Sequence, residues 1–210
     1  LVGDKAVVHV DGRDVQYIIA LDKTTGKTVW KTLRSLEYSK FPVHHRKAYS
    51  MPALVPRGQG KQLVSPAGRG LYAYDPKTGK ELWYVRHRGW SVAPRPVSGH
   101  GLVFATVDRD RPELWAIRLD GKGDVTDTHI EWKSIRSMPQ RCSPLLVGDL
   151  LFVVNRGGIA SCLEAKTGEV VWKERLKGVY SASPIYAEGR IYLFNEEGLA
   201  PGIRPTPQLE

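Results

Sequence analysis

The side chains with the most chemistry to offer fall in four short segments. They read His44-His45-Arg46-Lys47-Ala48-Tyr49, Arg86-His87-Arg88-Gly89-Trp90, Arg136-Ser137-Met138-Pro139-Gln140-Arg141 and Lys177-Gly178-Val179-Tyr180. Arginine, histidine and an aromatic ring recur among them. Guanidinium groups hold carboxylates and phosphates through paired hydrogen bonds, and they stack on rings. The composition therefore suits an anionic or planar ligand, with Arg46, Tyr49, Arg88, Trp90, Arg141 and Tyr180 as the candidate surface. It also describes an ordinary solvated rim. A second cluster, Asp120 to His129, sets three acids within eight residues beside two glycines. Oxygen donors of that kind suit Ca²⁺, but the spacing of an EF-hand loop and its bidentate glutamate are absent. The segment is expected as a long exposed hairpin. The histidines show no zinc spacing, and neither a phosphate loop nor a nucleophile elbow occurs. No nucleophile–base pair is visible, so the sequence assigns no catalytic, cofactor-binding or metal-ligating residue.

These segments lie between copies of one repeat. In Leu71-Tyr72-Ala73-Tyr74-Asp75-Pro76-Lys77-Thr78-Gly79-Lys80-Glu81-Leu82-Trp83 a strand, a turn and a returning strand follow one another. Alternation marks the first strand, Pro76 presets φ for the turn, and Gly79 is free to take positive φ. The same pattern stands at Ala20–Trp30 and Cys162–Trp172, and a degraded copy with an insertion runs from Ala116 to Trp132. The terminal tryptophans, Trp30, Trp83, Trp132 and Trp172, are 53, 49 and 40 residues apart. A period of about 40–50 residues built from short strands indicates propeller blades of roughly four strands. Each blade opens on a proline-bearing strand: Met51-Pro52-Ala53-Leu54, Ala93-Pro94-Arg95-Pro96-Val97, Cys142-Ser143-Pro144-Leu145-Leu146 and Ala182-Ser183-Pro184-Ile185-Tyr186. Strand one is innermost in a propeller, so the four basic segments that precede these strands are expected to ring the mouth of a central channel.

The pattern A-x-D-x-x-T-G-x-x-x-W resembles the propeller repeat of the pyrroloquinoline-quinone (PQQ) type. Ala20-Asp22-Thr25-Gly26-Trp30 and Ala73-Asp75-Thr78-Gly79-Trp83 match it fully, and the last copy carries Cys162 and Glu164 in place of Ala and Asp. The resemblance covers nearly the whole chain. It implies an all-β propeller of four-stranded antiparallel blades whose tryptophans pack on neighbouring blades. It also implies one of two function classes. One is a cofactor-free protein-interaction scaffold of the cell envelope or periplasm, like the outer-membrane assembly lipoprotein. The other is a quinoprotein oxidoreductase of the alcohol dehydrogenase type with PQQ and Ca²⁺, its cofactor residues expected mostly outside this stretch of sequence. The second class carries a vicinal disulfide, a tryptophan floor and acidic Ca²⁺ ligands. Cys142 and Cys162 are not adjacent, and the four channel segments contain no acid. The scaffold is the favoured class.

Blades are expected at about 1–33, 49–86, 90–135, 138–175 and 180–197, three complete and two incomplete, with 198–210 as a tail. That count suggests a partial ring whose open blade edges can self-associate. Thirty-one Lys and Arg against 22 Asp and Glu give a net charge of +9, scattered rather than gathered in one run. No nucleic-acid motif accompanies the charge, so a protein or envelope component is the expected partner. No apolar run approaches the roughly 18 residues of a membrane span. Cys142 and Cys162, on strands one and three, are expected roughly 9–10 Å apart, too far for a disulfide.

Overall fold

A turn built the same way in successive blades sets the architecture. The Asp22 Oδ1 accepts hydrogen bonds from Thr24 N (3.0 Å), Thr25 N (2.7 Å) and Thr25 Oγ1 (2.9 Å). Asp75 repeats the arrangement with Lys77 N (2.8 Å), Thr78 N (2.8 Å) and Thr78 Oγ1 (3.0 Å). The chain then reverses on a glycine of positive φ: Gly26 at 70°, Gly79 at 73° and Gly168 at 76°. Other residues adopt that region at a cost of about 1–2 kcal/mol. Where Glu164 replaces the aspartate, the threonine keeps part of the turn, Thr167 Oγ1 accepting from Glu169 N (3.2 Å).

The computed structural model describes residues 1–208, in five sheets with no α-helix among them. The first blade is β1 (Lys5–Asp11), β2 (Gln16–Asp22) and β3 (Thr28–Leu33). After two 3-10 turns, Tyr38–Lys40 and Val43–Arg46, the second follows as β4 (Ala53–Arg57), β5 (Gly60–Ala67), β6 (Gly70–Tyr74) and β7 (Glu81–Arg86). The third holds β8 (Val97–Gly99), β9 (Leu102–Val107) and β10 (Glu113–Arg118), then β11 (Gly123–Asp124) within its insertion and β12 (Ile130–Ser134). The fourth is β13 (Leu145–Val147), β14 (Leu150–Val154), β15 (Ile159–Glu164) and β16 (Val170–Arg175). The last is β17 (Ile185–Ala187), β18 (Arg190–Tyr192) and β19 (Gly202–Ile203). Sequence neighbours pair antiparallel within each blade, and each third-to-fourth strand pair shifts register at the same place, after Ala20, Ala73, Ala116 and Cys162.

Strand one is innermost, as expected: β4, β8, β13 and β17 lie against one another in succession. β8, β13 and β17 are short, each starting directly after a proline, Pro96, Pro144 or Pro184, that cannot donate to a ladder. Hydrogen bonds link the inner ring from blade to blade: Ser50 Oγ donates to Pro94 O (2.7 Å), Arg95 N to Ser143 Oγ (2.9 Å) and Ser143 N to Ser183 Oγ (2.9 Å). The outer ring is held by the repeat tryptophans. Trp30 Nε1 donates to Pro76 O (3.3 Å) and Trp132 Nε1 to Ala165 O (3.1 Å), each on the turn of the following blade. The ring then covers the turn glycine so closely that a Cβ on Gly79 would lie 2.4 Å from Trp30, and one on Gly168 2.6 Å from Trp132. Trp30 and Trp83 are buried, whereas Trp132 and Trp172 are half-buried. Four apolar cores fill the four spaces between consecutive blades.

Blades one and two also share a buried ion pair. Arg34 Nε and Nη2 donate to the two oxygens of Asp11 (3.1 and 2.8 Å), with both side chains fully shielded from solvent. Ser65 Oγ and Tyr74 Oη of the second blade accept from the same guanidinium (2.9 and 3.3 Å). Burial opposes the charge on Arg34, but Asp11 and the tyrosines outweigh it and raise its pKa.

Two expectations need correction. The insertion is not simply an exposed hairpin. β11 pairs parallel with β7 and adds a fifth strand to the preceding blade. Val125 N donates to Tyr84 O (2.9 Å), Arg86 pairs with Asp124 (3.0 Å), and Val125 is buried against the core that holds Trp83. The insertion thus covers Trp83 in place of a tight turn. Trp83 Nε1 in turn donates to Gln62 Oε1 within its own blade (2.9 Å). The expected tail is partly structural as well. β19 supplies a third strand to the last blade, and Thr206 O accepts from Trp172 Nε1 (3.3 Å), replacing the turn carbonyl that serves Trp30 and Trp132. The last two positions of that stretch, 209 and 210, lie outside the described residues. Cys142 and Cys162 are free and buried, and burial pushes their thiols up to about 11 and about 12.

Candidate functional site

Antiparallel order sorts the loops by parity. The segments entering strand one and the loops between strands two and three share one face of the propeller. The turns between strands one and two and between three and four share the other. The basic segments therefore meet the 2–3 loops, namely Gly68–Arg69, Asp108–Pro112 and Asn155–Gly158. Backbone bonds tie the two sets together: Arg69 N donates to Gly89 O (3.0 Å), His87 N to Arg69 O (3.1 Å) and Tyr180 N to Arg156 O (3.1 Å). Adjacent entry segments join too, Tyr49 N donating to Val92 O (2.8 Å) and Ser91 N to Lys47 O (2.9 Å). Of the six non-glycine residues with positive φ among those described, Arg69, Ser91, Asp108 and Ser137 sit on this face. Such conformations cost about 1–3 kcal/mol each and persist only where the surroundings impose them.

The candidate residues part company here. Tyr49, 62% exposed, and Arg141 line one cavity of about 540 Å³ with Ser91, Ala93, Arg109, Asp110, Gln140 and Arg156. Trp90 sits beside it, half-buried. His45 packs at 5.1 Å on a 31° tilt, His44 meets it edge-on at 5.3 Å, and the Arg109 guanidinium lies 5.7 Å from its ring centre. Arg88 is exposed on the same face. Arg46 is spent on its own surroundings, donating to Phe41 O (2.9 Å), Arg13 O (3.2 Å) and Ser39 O (3.2 Å). Tyr180 must be withdrawn from the surface: it is 1% exposed and its hydroxyl donates to Lys177 O (3.1 Å). Its ring packs in the core between blades four and five.

Sequence reasoning missed Arg109, Asp110 and Arg156 because it looked only at segments entering strand one. Counting strand parity would have put the 2–3 loops on the same face. Among the described residues, Arg88, Arg111, Arg136, Arg141 and Arg156 make no side-chain hydrogen bond or ion pair, and Arg109 meets only the Trp90 ring. On the opposite face Arg57 donates to Gln62 Oε1 (3.1 Å) and Gly121 O (3.0 Å), and Arg118 bonds Glu131 and Thr128 O. The cavity thus presents guanidinium groups from blades three and four with one facing carboxylate, Asp110. An unpaired guanidinium is a ready donor pair for an incoming carboxylate or phosphate. Nothing in the cavity pairs a nucleophile with a base.

The comparisons follow from this geometry. The family model described as outer membrane protein assembly factor BamB matches residues 14–139 and again 113–202. The chain belongs to this family. Members of the PQQ-repeat propellers recur among solved structures with the same fold. BamB from Moraxella catarrhalis is 17% identical with a TM-score of 0.59, over 95% of this chain and 60% of that one. Quinohemoprotein alcohol dehydrogenase from Comamonas testosteroni is 13% identical with a TM-score of 0.63, over 97% of this chain and 40% of that one. The beta-propeller domain of Cps50 (Swd1) from Myceliophteria thermophila is 16% identical with a TM-score of 0.61, over 99% of this chain and 67% of that one. At these identities the likeness is one of fold. This chain spans 60% of the Moraxella BamB. Among curated proteins, none matches the sequence.

Both a BamB and a quinone-dependent dehydrogenase share the fold, so the donor set must decide what the mouth can hold. It does not fit PQQ with Ca²⁺. Arg109, Arg141 and Arg156 face the cavity against the single Asp110, a field that repels a divalent cation. The half-buried Trp90 ring is already engaged by His45 at 5.1 Å and Arg109 at 5.7 Å. The two cysteines are separately buried.

Proposed function

We propose that this propeller is a binding scaffold that works without turnover, and that its loop face, with Tyr49, Arg88, Trp90 and Arg141, receives a protein or envelope component. The observation that carries the reading is the convergence of unpaired arginines from neighbouring blades on the cavity beside Tyr49. Strained backbone at Arg69, Ser91, Asp108 and Ser137 on that face is in keeping with a shape held for recognition. Membership of a family of outer membrane protein assembly factors supports a place in the periplasm or cell envelope. The same membership supports protein partners over a small substrate.

Charge reversal tests the reading. Arg88→Glu and Arg141→Glu are introduced singly and together in the full chain. Each protein is then used to capture partners from a cell-envelope fraction, and is assayed for dye-linked dehydrogenase activity with added PQQ and Ca²⁺. The expected result is partner capture by the unaltered protein, its loss in the double variant, and no turnover in either. Capture unaffected by both substitutions removes the site. PQQ-dependent activity overturns the scaffold in favour of a quinoprotein oxidoreductase.

A further inference from the structure

The cavity beside Tyr49 does not end at its own wall. Gln140 and Arg156 also line a second cavity of about 510 Å³, with Arg111, Pro112, Ile135 and Met138 among its other residues. Ile135 in turn borders a third depression of about 490 Å³, beside Lys133, Val170 and Lys173 on the outer strands β12 and β16. Shared residues thus make one groove. It starts at the channel mouth and runs outward between blades three and four. Its character changes along its length. The inner end carries Arg109, Arg141 and Arg156. The middle is mixed: Pro112, the buried Met138 and Ile135, which is 66% exposed, form an apolar wall facing Arg111, Glu113 and Asn155. Gln140 stands at the junction with an amide that both donates and accepts.

We infer that this groove binds an extended acidic peptide segment, its carboxylates on Arg141 and Arg156 at the mouth and an apolar side chain against Ile135 and Pro112. The inference rests on the scaffold reading above and names the element of the partner that is recognised. Three features select a peptide. Two arginines with no partner of their own can each take a carboxylate through paired bonds, with no ion pair to break first. Beside Arg111, the apolar wall of Pro112, Met138 and Ile135 offers a place to a peptide side chain that a sugar-phosphate strand does not use. The Gln140 amide matches the alternating donor and acceptor of an extended backbone. Single-stranded nucleic acid would instead stack its bases on open rings. The Trp90 ring is already engaged by His45 and Arg109, and Tyr49 is the one exposed ring in the cavity.

The test is a titration followed by fluorescence anisotropy with the full chain. The probe is a fluorescein-labelled peptide of alternating glutamate and aspartate that ends in leucine and phenylalanine. Comparison probes carry glutamine and asparagine for the acids, or serine for the apolar residues, and labelled oligothymidylate stands for nucleic acid. The peptide is expected to bind, and Arg141→Glu with Arg156→Glu to weaken it at least about tenfold. Both side chains are exposed and unpaired, so the fold has no stake in them, and Arg141→Gln with Arg156→Gln should give a smaller loss. Ile135→Ser should weaken binding about threefold, through lost apolar burial. Equal binding of the amide probe, tighter binding of oligothymidylate at the same salt, or no binding overturns the inference. Partner capture that survives Arg141→Glu with Arg156→Glu removes the groove and leaves the scaffold standing. Absence of capture by the unaltered protein removes the scaffold, and the titration still decides the groove.

Discussion

Gly26 and Gly79 occupy the same place in the repeat and adopt nearly the same φ, 70° and 73°, but only Gly79 lies under a neighbouring blade's tryptophan. Alanine at either position must hold positive φ, at a cost of about 1–2 kcal/mol. At Gly26 the new methyl group meets nothing within 4 Å. At Gly79 it would lie 2.4 Å from Trp30 Cε3 and 2.9 Å from Thr32 Oγ1, and Thr32 is itself bonded to Gly79 O (2.7 Å). Forcing those groups apart is an overpacking cost of about 1–3 kcal/mol. Gly79→Ala should therefore destabilise by about 2–5 kcal/mol in all. The difference between the two variants isolates the blade-to-blade contact. Urea unfolding followed by tryptophan fluorescence measures it, and the excess for Gly79→Ala corresponds to a midpoint lower by about 1 M. In a Trp30→Ala background the excess should shrink to what the Thr32 contact contributes. Equal effects of Gly26→Ala and Gly79→Ala, or an excess undiminished without Trp30, would refute the claim that tryptophans lock each blade onto the next turn.

Three further outcomes follow from the packing. Arg34→Met strands the fully shielded Asp11 and should cost about 3–5 kcal/mol, with Asp11→Leu added to it restoring part of the loss; urea midpoints read both. Burial holds the His87 imidazole down at about 4 from its ordinary 6.5, so the unfolded chain binds the extra proton between these values. Stability should then rise with pH in that window, and up to about 3 kcal/mol from this group should be lost as pH falls through it; His87→Phe should remove that share and leave the one from His9, which burial likewise holds at about 4. Blade one exposes Val8 and Leu33 and blade five Ile185, Tyr186 and Phe194, so the 210-residue chain should self-associate in light scattering, and a monodisperse monomer would contradict this.

Much of the fold is legible because its determinants are local. Asp22 and Asp75 write their turns through bonds that reach only three residues ahead, and the glycines that follow have the φ the turn demands. The tryptophans are legible for the same reason, since a turn of fixed length always returns the fourth strand at the same register. Sequence spacing does not say where an insertion will dock. Nothing local in Gly123–Asp124 announces pairing with β7, which depends on the open outer edge of another blade. The strand role of Gly202–Ile203 was hidden by the prolines at 201, 205 and 207, which read as a tail although the backbone between them is free to pair. Among the candidate residues, composition grouped Tyr49 and Arg141, and these two do line one cavity. Composition could not separate an exposed ring from a buried one, so Tyr180 was indistinguishable from Tyr49. Nor could it show that Arg46 is satisfied by carbonyls of its own loop.

The central claim is that partners meet the loop face beside Tyr49, and site-specific photocrosslinking reads it directly. A photoreactive phenylalanine is placed at Tyr49 in one strain and at Gln59, an exposed residue in the β4–β5 turn on the opposite face, in another. After irradiation of whole cells the adducts are isolated and the attached peptides sequenced. The account predicts an adduct from the Tyr49 position, joined to an acidic segment of an envelope protein, and none from Gln59. Adducts from Gln59 alone, or none from Tyr49, would contradict it.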